Sequence, residues 1–265
     1  MQAQSICRLT ITRMTAMADK LDIIIGEEIS RLVEGLNLDK SSMSVGLDSS
    51  HQDYVDTNDL YNPHPFYSTY HGYKVISVLR NKWDHNPLIW ALKGKKWHFN
   101  DTHRDVMFLL RRLVAVTREL HESFDTIITT PSSSSLNNQL LSMVERLIPH
   151  KASYRNFFRK YTAMEVYRNL APEDKLMLRE YFMKMENLND GIFSYKYIPA
   201  EYRDRIGMTM SVNDLALADE INGKNVLILD DTVTTGKTIS DSAKALLGTF
   251  TPENITFFTI MTPEA

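Results

Sequence analysis

Apolar positions along the chain repeat with two different periods. In "LDIIIGEEISRLVEGLNL", Ile25, Ile29, Leu32 and Leu36 fall at helical spacing, so residues 1–38 read as mostly helical. "YKVISVLR", Tyr73 to Arg80, is β-branched and alternating, which predicts a strand. "RDVMFLLRRLVAVTREL", Arg104 to Leu120, predicts an amphipathic helix with a basic wet face. A short apolar run, "FDTIITT" (Phe124 to Thr130), suits a buried strand, and after "PSSSS" the segment "LNNQLLSMVERLI" reads as a helix. Residues 151–189 read as mainly helical. Within them "APEDKLMLREYFMKM" opens on Pro172 and two acids, a helix-start signature. "DGIFSYKYI" reads as a strand or hairpin arm after a turn at Asp190-Gly191.

Toward the C-terminus, Asn222-Gly223 marks a turn and Val226 to Leu229 a continuous apolar strand. A loop and a helix closed by Gly248 follow, then a last buried strand from Ile255 to Thr262. Helices alternating with unbroken apolar strands imply a mostly parallel sheet covered on both faces. The polar stretch from Ser41 to Thr69 is long for a structureless loop. It reads as irregular packed structure or a mobile segment.

Composition narrows the class. The 265 residues are 43% hydrophobic and 24% charged, enough apolar material for a full core. A net charge of −3 gives no global attraction to nucleic acid or anionic membrane. The single cysteine, Cys7, permits no internal disulfide and no thiolate zinc site, which fits the cytoplasm. No segment reads as a signal peptide or a membrane span. Of the eight histidines, His64 and His71 are not at helical metal-ligand spacing and no acidic partner pattern supports a zinc site, so they read as surface or packing residues.

The densest chemistry lies in "LILDDTVTTGKTIS", Leu227 to Ser240. Its Thr-Gly-Lys-Thr resembles the tail of a P-loop, but that motif needs a glycine where this chain has Asp231. Two carboxylates at the strand end would also repel a nucleotide's phosphates. Asp230 and Asp231 instead stand where open α/β sheets bind ligands, and they suit a ribose diol or a divalent cation. Thr232, Thr234, Thr235 and Thr238 supply hydroxyls, Gly236 a tight turn, and the following helix an N-terminus with free N–H groups. One short segment thus offers places for a ribose and for a neighbouring 5′-phosphate.

Four apolar residues, two acids, two variable residues and Thr-Thr-Gly-x-Thr resemble the phosphoribosyl-pyrophosphate (PRPP) loop of type I phosphoribosyltransferases. Val226 to Thr238 matches throughout. Among these enzymes the ComF-like branch is most similar, through "PLIWALKGKKWHF", the "FDTIITTP" strand, "FFRKYTA" and the motif itself. The resemblance spans roughly Pro87 to Thr262 and is strong only at the PRPP loop.

The resemblance implies a type I phosphoribosyltransferase fold over residues 73–265 with a helical insertion at about 151–190. Residues 1–72, which the resemblance does not account for, read as a largely helical but mixed and partly irregular N-terminal extension or hood, available to a protein partner. The resemblance also implies Mg²⁺ and PRPP (or a nucleotide's ribose-phosphate) as ligands, a homodimer, and transfer or release of the phosphoribosyl group. Asp230 and Asp231 would hold the ribose hydroxyls or the metal, and Thr234 to Thr238, with Gly236, would clamp the 5′-phosphate. Lys237 either touches phosphate or faces water. Ser132, Ser133, Ser134 and Ser135 would hold pyrophosphate; four serines alone mean a flexible link, but their place between strand and helix favours an anion loop. A basic loop usually covers the pyrophosphate in this family. Arg155, Arg159, Lys160, Lys196, Arg203 and Arg205 are candidates, each against the plainer reading of a solvated surface charge.

The chain departs from the family in four ways, one of them a longer stretch between the two loops with an extra helical piece near Pro172 to Glu186. It lacks the cysteine zinc ribbon of many ComF-like proteins, and serines replace their arginine- and asparagine-rich first loop. Thr234 stands where 6-oxopurine enzymes carry an acid, which argues against hypoxanthine or guanine as the base. Two other roles remain open for such a chain: a non-catalytic sensor of PRPP or nucleotide, and a nucleotide-consuming effector released by a partner in a defence or mobile-element system.

Overall fold

The computed structural model describes residues 43–45, 55–56, 64–81, 91–93, 97–99, 112–113, 115–117, 120, 123–132 and 136–263. The expected helix within 1–38 and the serines at 133–135 lie outside these residues, and of the helix expected over Arg104 to Leu120 the described positions 112–113 and 115–117 are helical.

Seven strands form the main sheet. They are β2 (Val55–Asp56), β3 (Phe66–Tyr70), β4 (Tyr73–Asn81), β6 (Thr126–Thr129), β7 (Ala152–Tyr154), β10 (Asn225–Thr232) and β11 (Asn254–Pro263). Two small sheets pair β1 (Met43–Val45) with β5 (Trp97–Phe99), and β8 (Phe158–Lys160) with β9 (Met210–Val212). The main path runs β2-β4-β11-β10-β6-β7, with β3 also on β4. Strands β4, β11, β10, β6 and β7 are parallel, while β2 and β3 run antiparallel to β4. The expected mostly parallel α/β sheet is therefore present.

Alternate side chains of β10 enter opposite cores. Leu227 and Leu229 pack with Ile127, Phe258 and helix α1 (Leu136–Leu147) on one face. Val226 and Ile228 pack with Ile128, Phe257 and helix α5 (Lys237–Leu247) on the other. Burial on both faces is why these strands read as unbroken apolar runs rather than as alternation.

The chain leaves β6 through α1 to β7 on one side, and leaves β10 through α5 to β11 on the other. The direction of winding thus reverses between β6 and β10. Such a switch point opens a crevice at the carboxyl ends of the two strands, and ligands of open α/β sheets bind there.

Three expectations need correcting. Residues 151–189 are not mainly helical throughout, since β7 and β8 occupy 152–160. Ala152 to Tyr154 extend the sheet beside β6, Phe157 and Phe158 are buried against α5, and Asn156 makes the turn between the strands at φ 55°. Asparagine tolerates that left-handed backbone better than most residues, so no glycine marks the break. Second, "DGIFSYKYI" is no strand beyond one bridge, Thr162 to Ile192, and folds as 3₁₀ turns at Asn189–Gly191 and Tyr195–Tyr197. Its aromatic residues fill a local core instead.

Third, the polar stretch before Tyr73 contributes to the sheet. Phe66–Tyr70 pairs along β4 through a two-residue turn, His71 and Gly72, both at positive φ as a type I′ hairpin requires. The expected boundary at residue 72 falls inside this hairpin.

The insertion between β8 and β9 builds a third hydrophobic cluster. Helices α2 (Ala163–Arg168) and α3 (Pro172–Glu186) contribute Ala163, Val166, Leu178, Phe182 and Met185, joined by Phe193, Ile198 and Ile206. Phe182 stacks on Phe193 at 5.7 Å between ring centroids. Helix α2 starts with a capping box in which Thr162 and Glu165 satisfy each other's backbone N–H groups. The unit is tied to α5 by Asp241, whose buried carboxylate accepts hydrogen bonds from Tyr195 (2.8 Å) and Thr209 (2.5 Å). Burial raises the Asp241 pKa, and burial beside that carboxylate raises that of Tyr195.

Candidate functional site at the carboxyl ends of β6 and β10

Asp230 and Asp231 lie near the carboxyl end of β10, beside the switch point. Both are buried, at 7% and 5% exposure, which requires partners for their charge. Asp230 Oδ1 accepts the Thr130 hydroxyl at 2.6 Å and the backbone N–H of Asp231 at 3.1 Å, with the Asn137 amide at 3.5 Å. Asn137, on the first turn of α1, also donates to the Thr130 carbonyl at 3.0 Å. The loop after β6 is thereby bound to the acid at the end of β10. Among the described residues Asp230 Oδ2 takes no hydrogen bond and is the oxygen open to a ligand.

Asp231 has a cation of its own. Lys93 Nζ lies 2.9 Å from its Oδ1 and 2.8 Å from its Oδ2, and the Ser132 hydroxyl reaches Oδ2 at 3.3 Å. Burial, then the charge of Asp231, raise the Asp230 pKa from 3.8 to about 6; Thr130, Lys93 and Asn137 oppose the rise. Lys160 comes from the insertion side, at the end of β8. Burial pushes its ammonium down, Asp230 and Asp231 pull it up, and Lys93 and Lys196 repel it. Two carboxylates thus share one neighbourhood with two lysines, Lys93 and Lys160.

The threonine loop has two faces. Thr234 and Thr235 are exposed, Thr238 is half-buried in the first turn of α5, and Val233 is buried beneath them. Thr232 turns the other way, its hydroxyl 3.4 Å from the Met261 carbonyl on β11. Gly236 sits at φ 74° at the helix N-cap. A Cβ there would come within 2.9 Å of the Tyr70 ring and 3.2 Å of the His71 imidazole, so the hairpin turn seals the back of the loop. The Ser240 N–H bonds the Gly236 carbonyl and starts the helix ladder. The amides of residues 237–239 precede that ladder and form the positive helix end. Lys237 leans on the Tyr195 ring, 5.7 Å from its centroid.

Of the six basic candidates, five have local partners. Arg155 bonds Ser142, Arg159 bonds Glu165 twice at 3.0 Å, Arg203 bonds the Ile198 carbonyl, and Arg205 bonds Asp174. Lys196 lies over the Tyr197 ring, 4.6 Å from its centroid, and repels Lys160, which the acidic pair attracts. The sequence pattern missed Lys93, Thr130 and Asn137. Lys93 carried a signal, the lysine-rich "LKGKK", but nothing local linked it to an acid far along the chain.

Among the described residues no group of three or more His, Cys, Asp or Glu side chains is arranged to hold a metal ion by itself. No helix among them is long and apolar enough to cross a membrane. Compared with protein-family models, and separately with curated proteins, the chain finds no match.

Proposed function

We propose that the chain binds PRPP with Mg²⁺ in this crevice and transfers or releases its phosphoribosyl group. One observation carries the reading: a buried pair of adjacent carboxylates stands between two places suited to anions. These are the loop after β6 and the N-terminus of α5.

Each part of the ligand then has a counterpart. The 5′-phosphate fits the free amides at the start of α5, with the hydroxyls of Thr234, Thr235 and Thr238 around it. The ribose diol fits the carboxylates, which accept paired hydrogen bonds. The pyrophosphate fits the loop beginning at Thr130 and Ser132, with Lys160 near the acidic pair. As the bond from C1 to the pyrophosphate oxygen breaks, its electron pair leaves with pyrophosphate and positive charge grows on the ribose. Fixed carboxylates beside that charge lower the barrier because they need not reorganise. The acceptor's lone pair forms the new bond to C1.

The residues fit the metal. Mg²⁺ is held through one or two carboxylates plus substrate phosphates, and Asp230 Oδ2 is open to it. Asp230 and Asp231 would hold it, and it would supply charge neutralisation to the leaving group.

Calorimetric titration with PRPP, with and without Mg²⁺, tests the reading. Binding should depend on Mg²⁺ and disappear in the Asp230→Asn/Asp231→Asn double variant. A folded wild type that binds no PRPP under either condition would overturn it.

A further inference from the structure

Lys93 occupies the very group that a ribose or metal would need. Its ammonium lies within 3 Å of both Asp231 oxygens, 2.9 and 2.8 Å away, and only 19% of its side chain is exposed. Separating such a partly buried pair is costly unless both charges find new partners. A ribose or a cation could take over Asp231. The displaced ammonium would still need an anion, and nearby it meets Lys160, a like charge. Asp230, the other carboxylate of the pair, already receives the Thr130 hydroxyl and the Asn137 amide on its Oδ1. An incoming ligand that carries its own anion supplies the missing partner.

We propose that Lys93 is a specificity-determining residue. It holds Asp231 in the free protein and moves to the ligand's C1 pyrophosphate on binding, so the site favours pyrophosphorylated ribose over plain ribose phosphate. The inference rests on the phosphoribosyl reading above and adds a selection rule to it. A ligand with a 5′-phosphate and a ribose but no anion at C1 breaks the ion pair and leaves the ammonium uncompensated. A ligand with pyrophosphate at C1 exchanges one charge-assisted contact for another.

The test compares PRPP with ribose 5-phosphate by calorimetry, in wild type, Lys93→Met and Lys93→Arg, with thermal unfolding to confirm that each is folded. In Lys93→Met the preference for PRPP should fall by about ten-fold or more, the size of one lost charge-assisted contact. Ribose 5-phosphate should bind as well or better, because nothing competes for Asp231. Titration with Mg²⁺ alone should likewise tighten. Lys93→Arg keeps the charge and should retain most of the preference. An unchanged preference in Lys93→Met overturns the proposal. So does equal weakening of both ligands, which would make Lys93 only a structural partner of Asp231. If wild type binds neither ligand, the phosphoribosyl reading itself fails and the selection rule falls with it.

Discussion

Asp230→Asn should abolish PRPP binding while making the folded protein more stable at neutral pH. Asp230 is buried beside a second carboxylate, and its pKa rises from 3.8 to about 6. The folded protein therefore holds this proton more tightly than the unfolded chain does. The charge costs nothing below the unfolded value. Stability falls as pH climbs through the interval from about 4 to 6, then stays lowered by the full penalty. An uncharged asparagine removes the penalty. Its carbonyl can still accept the Thr130 hydroxyl and the Asp231 N–H. The expected gain is about 1–3 kcal/mol at pH 7, vanishing near pH 4.

The binding loss has the same origin. Asparagine offers an amide where Oδ2 offered charge to a diol or a metal, and affinity should drop by about a hundred-fold or more. In the wild type, PRPP affinity should weaken as pH falls below about 6, where Asp230 becomes protonated. Chemical denaturation at pH 4 and pH 7, run beside calorimetry, checks both halves. A variant less stable than wild type at pH 7 would contradict the account of the strained charge.

Gly236→Ala should be the most damaging single methyl in the loop. The residue sits at φ 74°, where an L side chain costs about 1–2 kcal/mol. The added Cβ would also meet the Tyr70 ring at 2.9 Å and the His71 imidazole at 3.2 Å. Forcing these aside costs about 1–3 kcal/mol more. His71 is exposed and can swing away, but Tyr70 packs against the β10–α5 core. The sum should lower the melting temperature by about 4–15 °C in a chain of this size. It should also tilt the first turn of α5, whose amides would hold the phosphate. A Tyr70→Ala background separates the two causes: the steric part should disappear and the backbone part should persist.

The sheet was legible in the chain because its strands are buried on both faces, and continuous apolar runs such as Val226 to Leu229 have few other uses. Asp230, Asp231 and Gly236 were legible for a different reason. A strand end, an acid pair, a positive-φ glycine and a helix start follow one another locally, so spacing alone carries the geometry. Lys93, Thr130 and Asn137 were not. Their roles come from the reversal of winding between β6 and β10, which joins distant segments at one crevice. The short strands in 152–160 were hidden because pairing with β6 and burial of Phe157 override a helix-compatible composition. Phe66–Tyr70 was hidden because its outward positions are polar or exposed, as in Tyr67 at 51%.

The hairpin turn that closes behind Gly236 also constrains how this chain can diverge. Tyr70, His71 and Gly236 form one contact, although most of the sheet lies between them in the sequence. A lineage that places a side chain at 236 would need a smaller residue at 70 to accommodate it, and a lineage that rebuilds the turn would free 236 only sterically, since its backbone still prefers glycine. Across related chains these positions should covary as a group. The segment before Tyr73 would then drift at the pace of the threonine loop rather than at that of a dispensable appendage.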